Sequence, residues 1–196
     1  MSGPRIARIA VFAALVGVFG LTPAISVPGI SVPITAQTLA VMLAGLMLVP
    51  LEAFLSVALF VGLVAAGLPL LPGGRGGLAP FTSPTAGFLI GFPIAAAAVA
   101  AIALTIRRVW EPRRPAGQIT TGIVASMLGG IVVLYAVAIP LGALIGGIPM
   151  GTFARGCLTF IPGDIVKAVA ASFVAAAVFR AAPFLAPRLA REGAGT

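Results

Sequence analysis

Two side chains of opposite charge stand three residues apart in "FIPGDIVKAVA", residues 160–170, in a segment otherwise almost wholly apolar. Asp164 is the only acid in that long segment and Lys167 is the only lysine in the chain. On a helix, residues at this spacing share one face, so the carboxylate and the ammonium can pair or jointly face a ligand. The carboxylate accepts N–H bonds, and the ammonium engages an anion or a carbonyl oxygen. At a helix centre in lipid each charge costs about 2.5–3.5 kcal/mol on insertion scales, which mutual pairing offsets in part. A purely structural ion pair is one reading; a ligand site is the favoured one, because ionisable groups inside a membrane are functional by default.

Other groups of matching chemistry are few. Gln37 brings one amide near the start of an apolar run, where it can face a pocket or bond a neighbouring helix. Arg75 sits in "LPLLPGGRGGLAPF" between Gly73, Gly74, Gly76 and Gly77. Glycines there allow close backbone approach and positive φ, so the loop is either a flexible connector or a backbone nest with a cation for an acidic group. It is not a nucleotide-binding P-loop, because no Gly-Lys-Ser/Thr follows. Phe81 and Phe88 offer apolar cover close by. Histidine is absent and Cys157 is alone, which removes the commonest general base and metal ligand, and any intramolecular disulfide. No cofactor or metal site is expected.

The elements that must position these residues follow from composition. The 196 residues are 60 % hydrophobic and 8 % charged, whereas soluble domains carry about a quarter charged residues. An integral membrane protein is expected, with a single domain over 1–196. Lipid forces backbone groups to bond within the segment, so apolar runs of about 20 residues read as helices. Six can be placed, at about 6–21, 34–49, 51–70, 86–106, 119–145 and 157–180. The fifth is interrupted by glycine, and its end near "LIGGIPMG" is expected to be irregular. The expected class is thus an all-α membrane protein of six transmembrane helices in one compact bundle. The first run also has the basic start and small-residue end of a signal peptide, but a membrane helix is preferred.

The net charge of +8 does not point to nucleic acid, because the cations cluster between apolar runs. Arg5, Arg8, Arg107, Arg108, Arg113, Arg114, Arg180, Arg188 and Arg191 fall on one side of a six-span chain, Arg75 and Arg155 on the other. The positive-inside rule then makes both termini and the loop at about 107–118 cytoplasmic. The outer loops are about 22–33, 71–85 and 146–156. The first holds "ISVPGISVPI", whose prolines enforce extended backbone; it is either a re-entrant piece or a lid over a ligand. Ala10 and Ala14 on the first span make a small-xxx-small pattern that lets another helix approach.

Four stretches in order carry a resemblance to the BioY family, the biotin-binding S components of energy-coupling factor (ECF) vitamin transporters. They are "VPITAQTL", "GLPLLPGGRGG", "SPTAGFLIGF" and "FIPGDIVK", which with the six spans cover essentially the whole chain. The chain departs from the family pattern at Phe88, where a tyrosine is common, at Val49-Pro50-Leu51, where Gly-Pro-Lys is common, and at Leu89, where some relatives carry arginine. The resemblance implies uptake of biotin across the bacterial cytoplasmic membrane by a transport component rather than an enzyme. Its partners would be biotin, a transmembrane T component and two ATPase subunits, in a lipid bilayer and compatibly with a homo-oligomer.

Asp164 is expected to accept from the ureido group, and Lys167 or Arg75 to meet the carboxylate or the ureido oxygen. Gln37, Gly74, Gly76, Gly77, Phe81 and Phe88 complete the expected ligand site, and Ala10 and Ala14 the partner surface. The alternatives are an S component for another vitamin, a purely structural subunit, or a membrane enzyme using an Asp–Lys dyad.

Overall fold

A computed structural model describes residues 3–23, 35–110 and 115–182. The repeated Ile-Ser-Val-Pro stretch lies outside the described residues, as do the arginines at 113, 114, 188 and 191. The chain runs through α1 (Gly3–Gly20), α2 (Gln37–Met47), α3 (Pro50–Ala65), α4 (Thr85–Trp110), α5 (Pro115–Met127), α6 (Leu134–Gly146), α7 (Met150–Leu158) and α8 (Ile161–Ala181). A short 3-10 turn at Ala79–Thr82 precedes α4, and a π-helical turn at Leu128–Val133 joins α5 to α6. Among the described residues there is no strand, only an isolated bridge between Leu71 and Arg75.

Local chemistry sets the breaks. Val49 precedes Pro50 and is extended (φ −75°, ψ 157°), so α2 cannot run on into α3. Pro50 then occupies the first turn of α3, where its missing N–H costs nothing. Gly147 closes α6 in the left-handed conformation (φ 63°), and the Ile148 N–H bonds back to the Ala143 carbonyl. Pro162 likewise sits in the opening turn of α8.

Among the described residues, four helical stretches are long and apolar enough to cross a membrane: Gly3–Gly20, Thr85–Trp110, Ala116–Gly146 and Ile161–Ala181. The helices α2 and α3 are shorter and also apolar. Large apolar side chains such as Val11, Val18, Leu144 and Val166 face outward, as a lipid-facing surface requires. Two boundaries differ from expectation. The stretch 146–156 is largely the helix α7, which the mixture of Gly, Thr and Arg155 disguised as a connection. The last run therefore divides at Thr159–Phe160, with α8 starting at Ile161.

The long helix α4 is the axis of the bundle, packed against α2, α3, α5 and α6. Small residues allow this. Ala95, Ala96, Val99 and Ala100 are buried on α4, and Ala96 and Val99 lie against Gly45 of α2. Without water to drive helices together, such close contact supplies the packing energy. At Gly45 a Cβ would lie 2.5 Å from the Val99 Cβ and 2.7 Å from the Ala96 carbonyl oxygen, so only glycine fits there.

One end of the bundle is tied by charge. Glu52 of α3 is buried and accepts from Arg5 Nε (2.9 Å), Arg8 Nε (3.0 Å) and Arg8 Nη2 (2.7 Å), which fixes α1 to α3. At the same end the Arg107 guanidinium lies 5.1 Å from the Phe179 ring centroid, joining α4 to α8.

Two outcomes follow. Gly45→Ala lowers the thermal midpoint of the purified protein, because backbone of α2 and α4 must separate; an unchanged midpoint contradicts this contact. Replacing both Arg5 and Arg8 by alanine destabilises more than the sum of the single changes, since either arginine alone still neutralises the buried Glu52. Strict additivity in thermal unfolding is the contrary result.

Candidate ligand-binding site

The far end of the bundle from Glu52 holds the expected pair. Asp164 is in the first turn of α8 and is 2 % exposed. Its Oδ1 accepts from Lys167 Nζ (2.9 Å) and from the Thr38 hydroxyl (2.9 Å), and its Oδ2 accepts from the Tyr135 hydroxyl (2.6 Å). The Lys167 ammonium also donates to the Thr35 carbonyl oxygen (2.6 Å) and to Thr38 Oγ1 (3.0 Å). An ammonium has three N–H donors, so Lys167 is fully engaged. The network joins α8 to α2 and α6, and Asp164 is its centre.

Next to it lies a cavity of about 520 Å³, counting the space open to solvent. Thr35, Gln37 and Thr38 of the α2 end, Thr85 of α4, and Asp164 and Lys167 of α8 supply its polar lining. Leu71, Pro72, Phe88, Leu89, Phe92 and Phe160 supply apolar walls, and Arg75 stands at the side. The Phe88 ring meets Tyr135 edge-on (centroids 5.8 Å apart, planes at 84°) and Phe160 in the same manner (6.1 Å, 70°). Such T-shaped pairs hold the aromatic wall in one conformation. A molecule with an apolar body, hydrogen-bonding groups and a negative charge fits these surfaces.

The glycine-rich loop owes its shape to backbone conformation. Gly73, Gly74 and Gly77 take φ of 75°, 70° and 76°, which other residues resist. Leu71 and Arg75 exchange backbone bonds of 3.0 and 3.2 Å, closing a tight turn, and Arg75 Nε donates to the Pro72 carbonyl oxygen (3.1 Å). Gly77 N–H reaches the Val64 carbonyl (2.8 Å) and pins the loop to α3.

Of the residues singled out from sequence, Asp164, Lys167, Arg75, Gln37 and Phe88 come together around this one cavity. Gly74, Gly76 and Gly77 shape the loop but do not line the cavity, and Phe81 packs half-buried against the core instead of the cavity wall. Gln37 is 2 % exposed and its Nε2 has no hydrogen-bond partner. It lies so close to α1 that a Cβ on Gly20 would approach Nε2 to 2.7 Å. Ala10 and Ala14 are both exposed on α1, away from the cavity.

Thr35, Thr38, Thr85 and Tyr135 are polar residues of the site that sequence reasoning missed. Tyr135 had a signal, as the only tyrosine in the chain and set within a long apolar run. Thr38 had little, since hydroxyl groups in membrane helices usually bond their own backbone, as Ser172 does to the Ala168 carbonyl oxygen (2.7 Å).

Comparison with known proteins places these features in a lineage. The BioY family model matches residues 1–184. Over 188 residues the chain is 43 % identical to the biotin transporter BioY of Rhizobium etli, spanning 96 % of this chain and 100 % of that protein. It is 42 % identical over 188 residues to the biotin transporter BioY of Rhodobacter capsulatus, with 91 % and 95 % covered. It is 41 % identical over 174 residues to the probable biotin transporter BioY of Bacillus subtilis, with 89 % of each covered. Its fold is similar to the 2.1 Å crystal structure of the S-component for biotin from an ECF-type ABC transporter. The TM-score is 0.80 at 26 % identity, covering 92 % of this chain and 95 % of that one.

Breaking a buried ion pair costs more than removing it whole, because a single change strands a charge. Lys167→Met alone therefore lowers the unfolding midpoint more than Lys167→Met combined with Asp164→Asn. A double variant less stable than Lys167→Met contradicts the pairing.

Proposed function

Because the chain belongs to the BioY family, we infer that it captures biotin and serves biotin uptake as the S component of an ECF-type transporter. It is a transport component and not an enzyme. The observation that carries this reading is an apolar cavity with one buried carboxylate and one ammonium at its wall, in a chain similar along its length to biotin transporters.

Biotin has a ureido ring with two N–H donors and a carbonyl acceptor, an apolar thioether ring, and a valerate anion. In our reading Asp164 accepts a ureido N–H, and an oxygen of the ureido or valerate group meets Arg75, or Lys167 in exchange for one of its three protein acceptors. Phe88, Phe92 and Phe160 cover the apolar rings, and Gln37 contributes its amide. The turn formed by Gly74, Gly76 and Gly77 holds Arg75 toward the ligand.

The finer organisation belongs to the same proposal. With α2 and α3 counted beside the four longer stretches, and α5 and α6 joined, the chain has six spans, and both termini are cytoplasmic. The arginines support this orientation. Arg5, Arg8, Arg107, Arg108 and Arg180 lie at one set of helix ends, whereas Arg75 and Arg155 lie at the other, with the cavity. Biotin then enters from outside a bacterial cytoplasmic membrane. A T component and two ATPase subunits power its release, and the exposed Ala10 and Ala14 on α1 form the surface for the T component.

Purified protein is expected to bind radiolabelled biotin at a fixed stoichiometry, uncompeted by thiamine or riboflavin, and folded Asp164→Asn and Lys167→Ala proteins to bind about tenfold more weakly or worse. Variants that bind as tightly as wild type would falsify the site. Co-purification with a T component is expected to fail for Ala10→Trp with Ala14→Trp; intact assembly removes the α1 surface.

A further inference from the structure

The hydrogen bonds around Asp164 are unevenly shared. A carboxylate offers about four lone-pair directions. Two on Oδ1 are taken by Thr38 and Lys167, and one on Oδ2 is taken by Tyr135, at 2.6 Å the shortest bond of the group. One direction remains, on Oδ2. We propose that Tyr135 is a positioning residue for ligand selection: its hydroxyl holds the Asp164 carboxylate so that this last direction meets a ureido N–H. This inference rests on the reading that Asp164 faces the ureido ring of biotin.

The balance of donors gives Tyr135 that role. Thr38 and Lys167 both pull on Oδ1, and Lys167 is the nearest cation to the whole carboxylate. Without the Tyr135 O–H, Oδ2 is a buried charged oxygen with no protein donor. Burial makes that costly, and rotation of the carboxylate toward the Lys167 ammonium relieves it. A carboxylate that embraces Lys167 with both oxygens has turned its acceptor away from the ligand. Tyr135 prevents this by competing with Lys167 for Oδ2.

The fold goes to some length to deliver this hydroxyl. Tyr135 is buried and lies two residues beyond the π-helical turn at Leu128–Val133. A π turn inserts one residue, rotating everything after it by about 100° relative to an unbroken α-helix. An uninterrupted α5–α6 helix would aim position 135 away from Asp164. The turn is seated by two glycines. A Cβ on Gly129 would meet Val99 of α4, at 2.5 Å from its amide nitrogen, and one on Gly130 would meet the Met42 side chain of α2 at 2.7 Å. The same Tyr135 ring contacts Phe88 edge-on, so the acceptor and the aromatic wall are set by a single side chain.

Tyr135→Phe tests this with the ring and its packing retained. Equilibrium affinities are measured for the full chain, wild type and variant, with biotin and with analogues methylated at either ureido nitrogen. Wild type is expected to reject at least one methylated analogue. In Tyr135→Phe, biotin affinity drops about tenfold, as for loss of a bond to a charged group, and the ratio between biotin and that analogue collapses toward one. A merely structural role weakens all ligands alike and leaves the ratio intact, and that result overturns the proposal. So does unchanged affinity. The ratio is taken on folded protein, so partial loss of folding does not affect it. If wild type binds biotin without discriminating either analogue, the Asp164–ureido reading itself falls, and if it binds no biotin the functional reading falls with it.

Discussion

A carboxylate buried in an apolar helical bundle must be surrounded by donors, and Asp164 sets the terms for much of this molecule. Its three donors come from three helices: Thr38 on α2, Tyr135 on α6 and Lys167 on α8 itself. Desolvating a charge is affordable only when each partner sits at bonding distance. The helices therefore meet at one fixed relative register, and that register opens the cavity beside them. Lys167 extends the tie to the Thr35 backbone, so the start of α2 is fixed by the same group. The opposite end is handled alike, with Glu52 buried between two arginines of α1. Between the two polar ends the packing is mostly apolar, with a few buried hydroxyls such as Ser56 and Ser172 bonded to their own helices, and small residues on α4 let its neighbours approach.

This arrangement gives a rigid frame with polar groups at chosen points of an apolar cavity. In the proposed complex most of the contact with biotin is apolar, and selection rests on a few hydrogen bonds. Such sites discriminate strongly against a ligand lacking the matching group, because the buried partner is then left unsatisfied. In the same proposal the buried amide nitrogen of Gln37, which lacks a protein partner, adds to this selectivity.

Much of the architecture could be read before any coordinates. Membrane character follows from the scarcity of charge, and the long apolar runs coincide with helices to within a few residues. Asp164 and Lys167 stood out because each is nearly unique in its surroundings, and Arg75 because glycines flank it. Other features are tertiary and left weak traces. Leu71, Leu89, Phe92 and Phe160 line the cavity but are ordinary apolar residues in an apolar chain. The π turn depends on glycines whose crowding against Val99 and Met42 is visible only in the packed bundle. The helix α7 was hidden because its nine residues, with two glycines and an arginine, are less apolar than the spans on either side. Phe81 packs against the core and does not line this cavity, because proximity in sequence to the glycine loop does not give proximity to the cavity.

In the proposed complex Asp164, Lys167 and the groups bonded to them form the biotin site. The most direct measurement is an experimental structure of the full chain with biotin bound. It should show a ureido nitrogen within hydrogen-bond distance of Asp164 Oδ2, Tyr135 still bonded to the same oxygen, and the thioether ring against Phe88 or Phe160. Biotin seated elsewhere, or in this cavity with Asp164 bonded only to protein groups, would contradict the account.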